Sequence, residues 1–277
     1  MVSPSSLVVA GIRTHLLSGG KGQPLIFLHG MGASSYGWRR LLPAFAKTHA
    51  VYAPDLPGFG RSEKPRDFDY SLVGFTRWLN SFMDTLGLPQ AVLIGSSMGG
   101  AISIALALDH PARVSRLVLI GTPVDERHIP RIIRIMRTPL LGRLLEPLLG
   151  PWLVRVVAPT AFLDQNLVTE ELIQEYAIAL QTREGRHSIA ETMRRGVHKH
   201  VAGFLRRYRE LKGPVLFIHG EHDCLVHIED AQRFCREVPQ ARFFHVPECG
   251  HVPHEEKSEI VERAIREFLD SDIMGAK

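Results

Sequence analysis

The sequence predicts an α/β protein with a mainly parallel sheet, on three observations. Short, continuous apolar runs of strand length, such as Pro24–Leu28 and Arg116–Ile120, alternate with stretches of helical hydrophobic spacing, such as Ser71–Leu86. Continuous apolar runs are typical of parallel strands that are buried on both faces. Strands that alternate with helices favour right-handed crossovers, which put helices on both faces of the sheet. Several of the runs also end in polar residues, at the edge of the sheet where ligands bind.

The remaining elements continue this alternation along the chain. Ser71–Leu86 is followed by Gly87, which is a common helix stop. Glycine and proline mark Asp55–Ser62 as a loop. Further strands are expected at Ala50–Ala53, Ala91–Ile94, Gly213–Ile218 and Ala241–Val246, and further helices at Gly99–Leu108 and Glu255–Leu269.

The composition is that of an ordinary globular protein. The 277 residues are 45% hydrophobic and 22% charged, with a formal net charge of +4. No apolar run reaches the ~18 residues of a membrane span, and the first residues lack the features of a signal peptide. Cys224, Cys235 and Cys249 have no metal-like spacing, which favours reduced thiols. We therefore expect a cytoplasmic protein, without stable membrane insertion, that is a monomer or a homodimer.

Charge divides the chain into two compositionally different parts. Residues 124–212 hold 15 Lys plus Arg against 10 Asp plus Glu, whereas the rest holds 18 against 19. We interpret residues 124–212 as a helical cap inserted into a core of residues 1–123 and 213–277. Its short apolar or amphipathic helices are expected to be broken by four prolines: Pro139, Pro147, Pro151 and Pro159.

The cap leaves three interpretations open. Its apolar side chains could line a substrate pocket, or they could only pack the cap onto the sheet. A helix on a membrane surface is the third, because Arg127, Arg131 and Arg134 fall near one helical face. Nucleic acid is not an expected partner, since the basic residues are scattered among leucines. His198 and His200 lack cysteine or carboxylate companions, so no metal is expected.

The strongest chemical signal is Gly95-Ser-Ser-Met-Gly99, which follows an apolar strand and precedes a helix. A nucleophilic serine requires a tight, strained strand-to-helix turn, and the flanking glycines allow the backbones to approach there. The spacing centres on Ser97, with Ser96 as the competing hydroxyl. A glycine-rich turn without chemistry is the alternative interpretation.

A serine hydroxyl needs a base and a group that orients the base. Asp223 and His251 each follow a predicted strand, and the chain order Ser97, Asp223, His251 is that of hydrolases on such sheets. Taken alone, Asp223 could cap a helix and His251 could be an ordinary loop histidine. The oxyanion donors are expected to be the backbone N–H groups of Met98 and Met31.

The whole chain resembles the α/β-hydrolase superfamily, with a mainly parallel eight-stranded sheet and a helical cap after strand 6. It is similar to capped carboxylesterases and to the meta-cleavage-product hydrolases, which cleave carbon–carbon bonds. The resemblance implies a Ser97 nucleophile, a His251 base, an Asp223 orienter and no cofactor. The matching strings are His29-Gly-Met-Gly32 with Trp38 downstream, Asp55-Leu-Pro-Gly-Phe-Gly-Arg-Ser62, Gly95-Ser-Ser-Met-Gly-Gly100, Gly220-Glu-His-Asp223 and Gly250-His251.

The resemblance is less informative about the substrate. Serine at position 97 departs from the aspartate of dehalogenases and epoxide hydrolases. The carbon–carbon hydrolases usually carry Asn, Trp and a cap Arg where this chain has Ser96, Val252 and Tyr176. We therefore predict a hydrolase of small-molecule carboxylic esters with small to medium acyl chains, acting through an acyl-enzyme on Ser97, with His29, Gly30, Ser96 and Val252 in the substrate pocket. Carbon–carbon bond hydrolysis is the alternative; acyl transfer, perhydrolysis and non-catalytic small-molecule binding are also considered.

Overall fold

A computed structural model of the chain describes residues 1–124, 131–196 and 207–271. Its eight strands form one sheet in the order β1-β2-β4-β3-β5-β6-β7-β8, parallel from β4 to β8 and antiparallel across β1, β2 and β4. The predicted mainly parallel sheet is confirmed. The strands are β1 Ser3–Val9, β2 Ile12–Gly19, β3 Pro24–Leu28, β4 Ala50–Pro54, β5 Ala91–Ser96, β6 Val114–Ile120, β7 Val215–Gly220 and β8 Ala241–Val246.

The apolar runs are continuous because both faces of the sheet are covered. Along β3, Leu25 and Phe27 pack into one hydrophobic cluster, and Ile26 and Leu28 pack into the other. Successive strand residues point to opposite faces, so a strand between two cores must be apolar at every position. The hairpin of β1 and β2 was not among the strands located from apolar runs, because β1 is mostly exposed and polar at its start.

Helices cover both faces of the sheet, and a group of them lies in the chain between β6 and β7. We call α4 to α8 the inserted helices. The helices of the described residues are α1 Leu42–Phe45, α2 Leu72–Thr85, α3 Met98–Asp109, α4 Arg131–Met136, α5 Pro139–Leu145, α6 Trp152–Ala161, α7 Glu170–Ala177, α8 Arg183–Arg195, α9 Ile228–Glu237, α10 Pro253–Glu256 and α11 Ser258–Asp270.

Two details of the predicted helices are wrong. Pro159 does not break a helix but lies inside α6, whereas Pro139 starts α5, where its missing N–H costs nothing. The single C-terminal helix is two, α10 and α11, which meet at Lys257. Arg127, His198 and His200 lie outside the described residues, and the boundaries of the cap stay a prediction. Among the described residues, no helix is both long and apolar enough to cross a membrane.

Candidate active site

Ser97 lies on a strained turn between β5 and α3. Its φ is +50°, which is left-handed backbone that a residue with a Cβ rarely adopts. The turn is held by a 2.8 Å hydrogen bond from the Ser97 N–H to the Ile120 carbonyl of β6. Glycine is required on both sides: a Cβ on Gly95 would lie 2.5 Å from Gly100 N, and one on Gly99 would lie 2.2 Å from Leu28 O. The strand-turn-helix expected around Ser97 is therefore present.

His251 and Asp223 form a buried acid–base pair at the ends of two neighbouring strands. His251 Nδ1 lies 2.7 Å from Asp223 Oδ2. The other carboxylate oxygen accepts hydrogen bonds from the backbone N–H groups of Leu225 and Val226, both at 2.9 Å. These contacts fix the carboxylate, so the imidazole carries its proton on Nδ1 and presents Nε2 as an acceptor.

The interaction between His251 and Asp223 shifts the pKa values of the two groups in opposite directions. Burial opposes protonation of His251, but the charge and hydrogen bond of Asp223 outweigh it and raise the pKa of the imidazole. Burial also disfavours the Asp223 carboxylate, yet the facing imidazole holds the pKa of that carboxyl below its ordinary value. Ser97 Oγ and His251 make no hydrogen bond with each other among the described residues, and both face the same cavity.

The loop after β3 approaches Ser97 closely and contains Met31, the second expected backbone donor. Met98 is the first residue of α3, so its N–H has no acceptor within the helix. Met31 lies in the facing loop, and no group of the described residues accepts its N–H. A Cβ on Gly30 would lie 3.2 Å from Ser97 Cβ, so glycine permits this close approach. Both expected oxyanion donors line the cavity beside Ser97.

His29 positions this loop. Its Nε2 accepts the Leu56 N–H at 2.9 Å, and its Nδ1 lies 2.8 Å from the Gly30 carbonyl. Burial lowers the pKa of His29, which fits a neutral ring with both nitrogens occupied by backbone. Asp55 also holds the loop after β3 in place, because its carboxylate accepts the N–H groups of Ser35 at 2.6 Å and Arg61 at 2.7 Å. The Asp55–Ser62 string is thus a scaffold for the loop after β3.

A cavity of about 430 Å³ lies between the sheet edge and the inserted helices. Of the predicted site residues, only Asp223 is absent from its wall, because it lies behind His251. Apolar side chains of α6 and α8 form much of the wall, and no Lys or Arg of the described residues lines it. The predicted residues that line it are His29, Gly30, Met31, Ser96, Ser97, Met98, His251 and Val252.

One part of the cavity wall is polar. Glu255 is 2% exposed and accepts a 2.7 Å hydrogen bond from Arg39, while Tyr176 donates to its other oxygen. Both Glu255 and Tyr176 line the cavity, whereas Arg39 lies behind them. The cavity wall therefore includes the buried carboxylate of an ion pair whose arginine is partly exposed.

His254 adds an unpartnered nitrogen to this polar wall. Its ring lies against Trp38, with 4.4 Å between centroids, and its Nδ1 has no hydrogen-bond partner. Burial, together with the nearby His251 and Arg39, lowers the pKa of His254 to about 3. The ring is therefore neutral, so one of its nitrogens can donate a hydrogen bond and the other can accept one.

Two further residues near the site, Glu256 and Gly121, were not predicted from the sequence. Glu256 accepts the backbone N–H groups of Gly250 at 2.7 Å and Leu163 at 2.8 Å, so it links the histidine loop to the end of α6. Gly121 follows β6 with φ +52°, and a Cβ there would lie 3.0 Å from His251 Nδ1. The sequence signal for Glu256 is its position five residues after His251. Gly121 has no such signal.

Two other sets of titratable residues, Cys249 and a cluster around Glu146, are not assigned a role in the candidate active site. Cys249 is fully buried and burial, followed by Glu256, raises its pKa, so its thiolate is unavailable. Glu146, His187 and Glu191 cluster on the inserted helices, with ligand atoms within 4.8 Å of one another. Arg194 occupies that cluster through ion pairs with both glutamates. The carboxylates of the cluster are therefore already paired with guanidinium groups, those of Arg194 and Arg195.

Comparison with known proteins identifies the family. Residues 23–258 match the family described as the alpha/beta hydrolase fold, and the chain belongs to that family. It is 32% identical over 254 residues to the 2-hydroxymuconate semialdehyde hydrolase of Pseudomonas sp. strain CF600, covering 88% of this chain and 86% of the relative. It is 30% identical over 250 residues to an uncharacterized hydrolase, YugF, of Bacillus subtilis, covering 89% and 90%.

Solved structures agree on the fold. A mutant of the meta-cleavage product hydrolase CumD of Pseudomonas fluorescens IP01, complexed with acetates, matches with a TM-score of 0.84 and 26% identity, covering 96% of this chain and 97% of that one. The haloalkane dehalogenase DbeA of Bradyrhizobium elkani matches with a TM-score of 0.87 and 24% identity, covering 100% of both chains. The α/β-hydrolase fold and the relation to carbon–carbon bond hydrolases, both expected from the sequence, are confirmed.

Proposed function

We propose that this chain is a serine hydrolase that cleaves the bond beside a carbonyl carbon in a largely apolar substrate. The observation that carries the proposal is that Ser97, on its strained turn, lines one cavity with His251, which is paired with Asp223 over 2.7 Å. A serine beside an oriented imidazole is what nucleophilic acyl transfer requires.

The proposed reaction uses the acid–base pair twice. His251 accepts the proton of Ser97 Oγ as this oxygen attacks the carbonyl carbon, and Asp223 stabilises the imidazolium. The N–H groups of Met31 and Met98 stabilise the oxyanion, a contribution worth about 10²–10³ in rate per donor. His251 then gives the proton to the leaving group. A water molecule, deprotonated by His251, releases the carboxylic acid and restores Ser97.

The names of the relatives support carbon–carbon bond hydrolysis better than the ester hydrolysis predicted from the sequence. Several relatives are named as hydrolases of 2-hydroxymuconate semialdehyde or of 2-hydroxy-6-oxo-dienoates. In such a reaction the leaving group is a carbon, which His251 or a bound water must protonate. Cleavage beside a ketone is therefore the first candidate reaction.

The cavity supports ester hydrolysis as a second candidate. The relatives' named substrates are carboxylates, but the described lining offers no Lys or Arg to pair with one. It offers the buried Glu255 instead. The hydrogen-bond partner of Glu255, Tyr176, occupies the position where the resemblance leads one to expect an arginine. Burial raises the pKa of Glu255, whereas its hydrogen bonds from Tyr176 and Arg39 favour the carboxylate, and a carboxylate in a wall of low polarity repels a second anion. We therefore expect uncharged substrates to be hydrolysed faster than carboxylate-bearing ones.

One substrate panel separates the two candidates. The purified protein is assayed with p-nitrophenyl esters from acetate to palmitate, with 2-hydroxymuconate semialdehyde and with 2-hydroxy-6-oxo-6-phenylhexa-2,4-dienoate. A higher kcat/KM on one of the esters assigns ester hydrolysis, and a higher value on a dienoate assigns carbon–carbon cleavage. The Ser97→Ala variant is run beside it. A folded protein without turnover of any of these substrates contradicts the proposed class.

A further inference from the structure

Exposed hydrophobic side chains are concentrated on the inserted helices. Within the described parts of the chain, nine of the twelve large hydrophobic side chains that are exposed lie between Ile135 and Leu163. Soluble surfaces normally carry such residues singly, and a contiguous group marks an interaction site. The most exposed of the nine are Leu140 at 75%, Leu144 at 64%, Leu148 at 63%, Val156 at 60% and Trp152 at 54%. We call these five residues the exposed apolar surface.

The five residues recur at intervals of four in the sequence, on two helices and the turn between them. Leu140 and Leu144 lie one turn apart on α5, and Trp152 and Val156 lie one turn apart on α6. Leu148 joins the two helices, because Trp152 Nε1 donates a 3.0 Å hydrogen bond to its carbonyl. The tryptophan therefore has its polar atom satisfied locally while half of its side chain is open to solvent.

The chain around this surface is basic. Residues 131–163 contain five arginines and one acidic residue, Glu146. Glu146 is partly buried and is paired with His187 at 2.9 Å and with Arg194. Of the five arginines, Arg155 pairs with Glu170, and Arg134 and Arg143 have exposed side chains. Among the described side chains of α4 and α5, the exposed charged ones are Arg134 and Arg143, so positive charge flanks this end of the exposed apolar surface.

We propose that the exposed apolar surface docks on an anionic lipid bilayer. Leucine and tryptophan enter the boundary between headgroups and acyl chains, while flanking arginines attract the anionic headgroups. A symmetric dimer through the same surface is disfavoured, because a two-fold interface would bring two copies of this positive charge together. The proposal concerns binding and stands whether or not the proposed function is correct.

Docking there would place the cavity opening at the lipid. Val156 and Val157 line the cavity and are also exposed, at 60% and 42%, so they mark its opening. Val156 belongs to the exposed apolar surface. An apolar substrate dissolved in the bilayer would thus reach Ser97 without first crossing water.

The test is sedimentation of the full chain with vesicles, at low and high salt. Vesicles of phosphatidylcholine alone are compared with vesicles that also contain phosphatidylglycerol. The parent is expected to pellet with the anionic vesicles, less so at high salt. The variant Leu140→Gln, Leu144→Gln, Leu148→Gln is expected to bind at least about tenfold more weakly. The control Val8→Gln, Val73→Gln changes exposed valines elsewhere and is expected to bind like the parent.

Two further readouts make the result decisive. The fluorescence of Trp152 should shift to shorter wavelength on anionic vesicles, and Trp152→Phe should remove that shift. Thermal unfolding of the triple variant should match that of the parent, since the three side chains are exposed. Absence of binding to anionic vesicles at low salt would overturn the proposal. So would a dimer of the parent that the triple variant abolishes, because it would assign the surface to a second copy of the chain.

Discussion

The backbone N–H of His251 donates a 2.8 Å hydrogen bond to the carbonyl of Ala161, the last residue of α6. The proposed base therefore lies on a loop that is tied directly to the inserted helices. Glu256 reinforces the connection, because its carboxylate accepts N–H groups from Gly250, Leu163 and Asp164. A change in the position of α6 is therefore expected to move the loop that carries the His251 imidazole.

Glu256→Gln tests this connection. An amide keeps one acceptor oxygen but loses the charge that serves three backbone donors, so the histidine loop should loosen. We expect kcat/KM to fall by about 10–10², because a small misplacement of a catalytic group is costly. The matched control is Glu259→Gln, which removes an exposed carboxylate from α11. Equal activities of the two variants would contradict the connection.

Gly121→Ala tests the space behind the imidazole. The new Cβ would lie 2.8 Å from the His251 carbonyl and 3.0 Å from Nδ1, so the backbone and ring of His251 must shift from their positions beside Asp223. We expect a loss of about tenfold or more in kcat. Gly87→Ala is the control, since Gly87 also has positive φ, +66°, but open space around its Cβ position. Each variant should lose about 1–2 kcal/mol of stability from left-handed backbone, and Gly121→Ala should lose more, because its Cβ also contacts the His251 carbonyl. Similar activities would show that the contact with His251 is unimportant.

The pH profile reports the His251–Asp223 pair. His251 must be neutral to accept a proton, and Asp223 raises its pKa above 6.5, so kcat/KM on a neutral ester should rise with a midpoint above pH 6.5. Asp223→Asn removes the charge that raises this pKa. We expect the midpoint to move to lower pH and kcat to fall by about 10⁴. A parent midpoint below 6.5, or an unchanged midpoint in the variant, would contradict the assignment.

Glu255→Gln tests the selection against anionic substrates. The variant keeps an acceptor for Tyr176 but removes the negative charge of Glu255 from the cavity wall, leaving the Arg39 cation behind it. We expect the ratio of kcat/KM for a carboxylate-bearing dienoate to that for a neutral ester to rise by about tenfold or more. Glu175→Gln is the control, since Glu175 pairs with Arg61 outside the cavity wall. An unchanged ratio would remove Glu255 as a selecting group.

Much of the fold and the candidate site could be predicted, because their signals are local. The apolar runs of β3 and β5 and the glycines around Ser97 are readable over a few residues. Glu255 could not be found this way: its partners Arg39 and Tyr176 lie far away in the chain, and burial of a glutamate has no sequence signature. Gly121 matters only because the loop of His251 folds over it. Such contacts depend on tertiary packing rather than on local pattern.

The most direct test of the central claim is covalent labelling of the proposed nucleophile. The parent is incubated with diethyl p-nitrophenyl phosphate, which phosphorylates activated serines, and the modified peptide is located by mass spectrometry. We expect one diethylphosphate group on Ser97, loss of hydrolase activity in step with labelling, and no adduct in Ser97→Ala. An adduct at another residue, or a Ser97→Ala variant with activity within about tenfold of the parent, would contradict the claim.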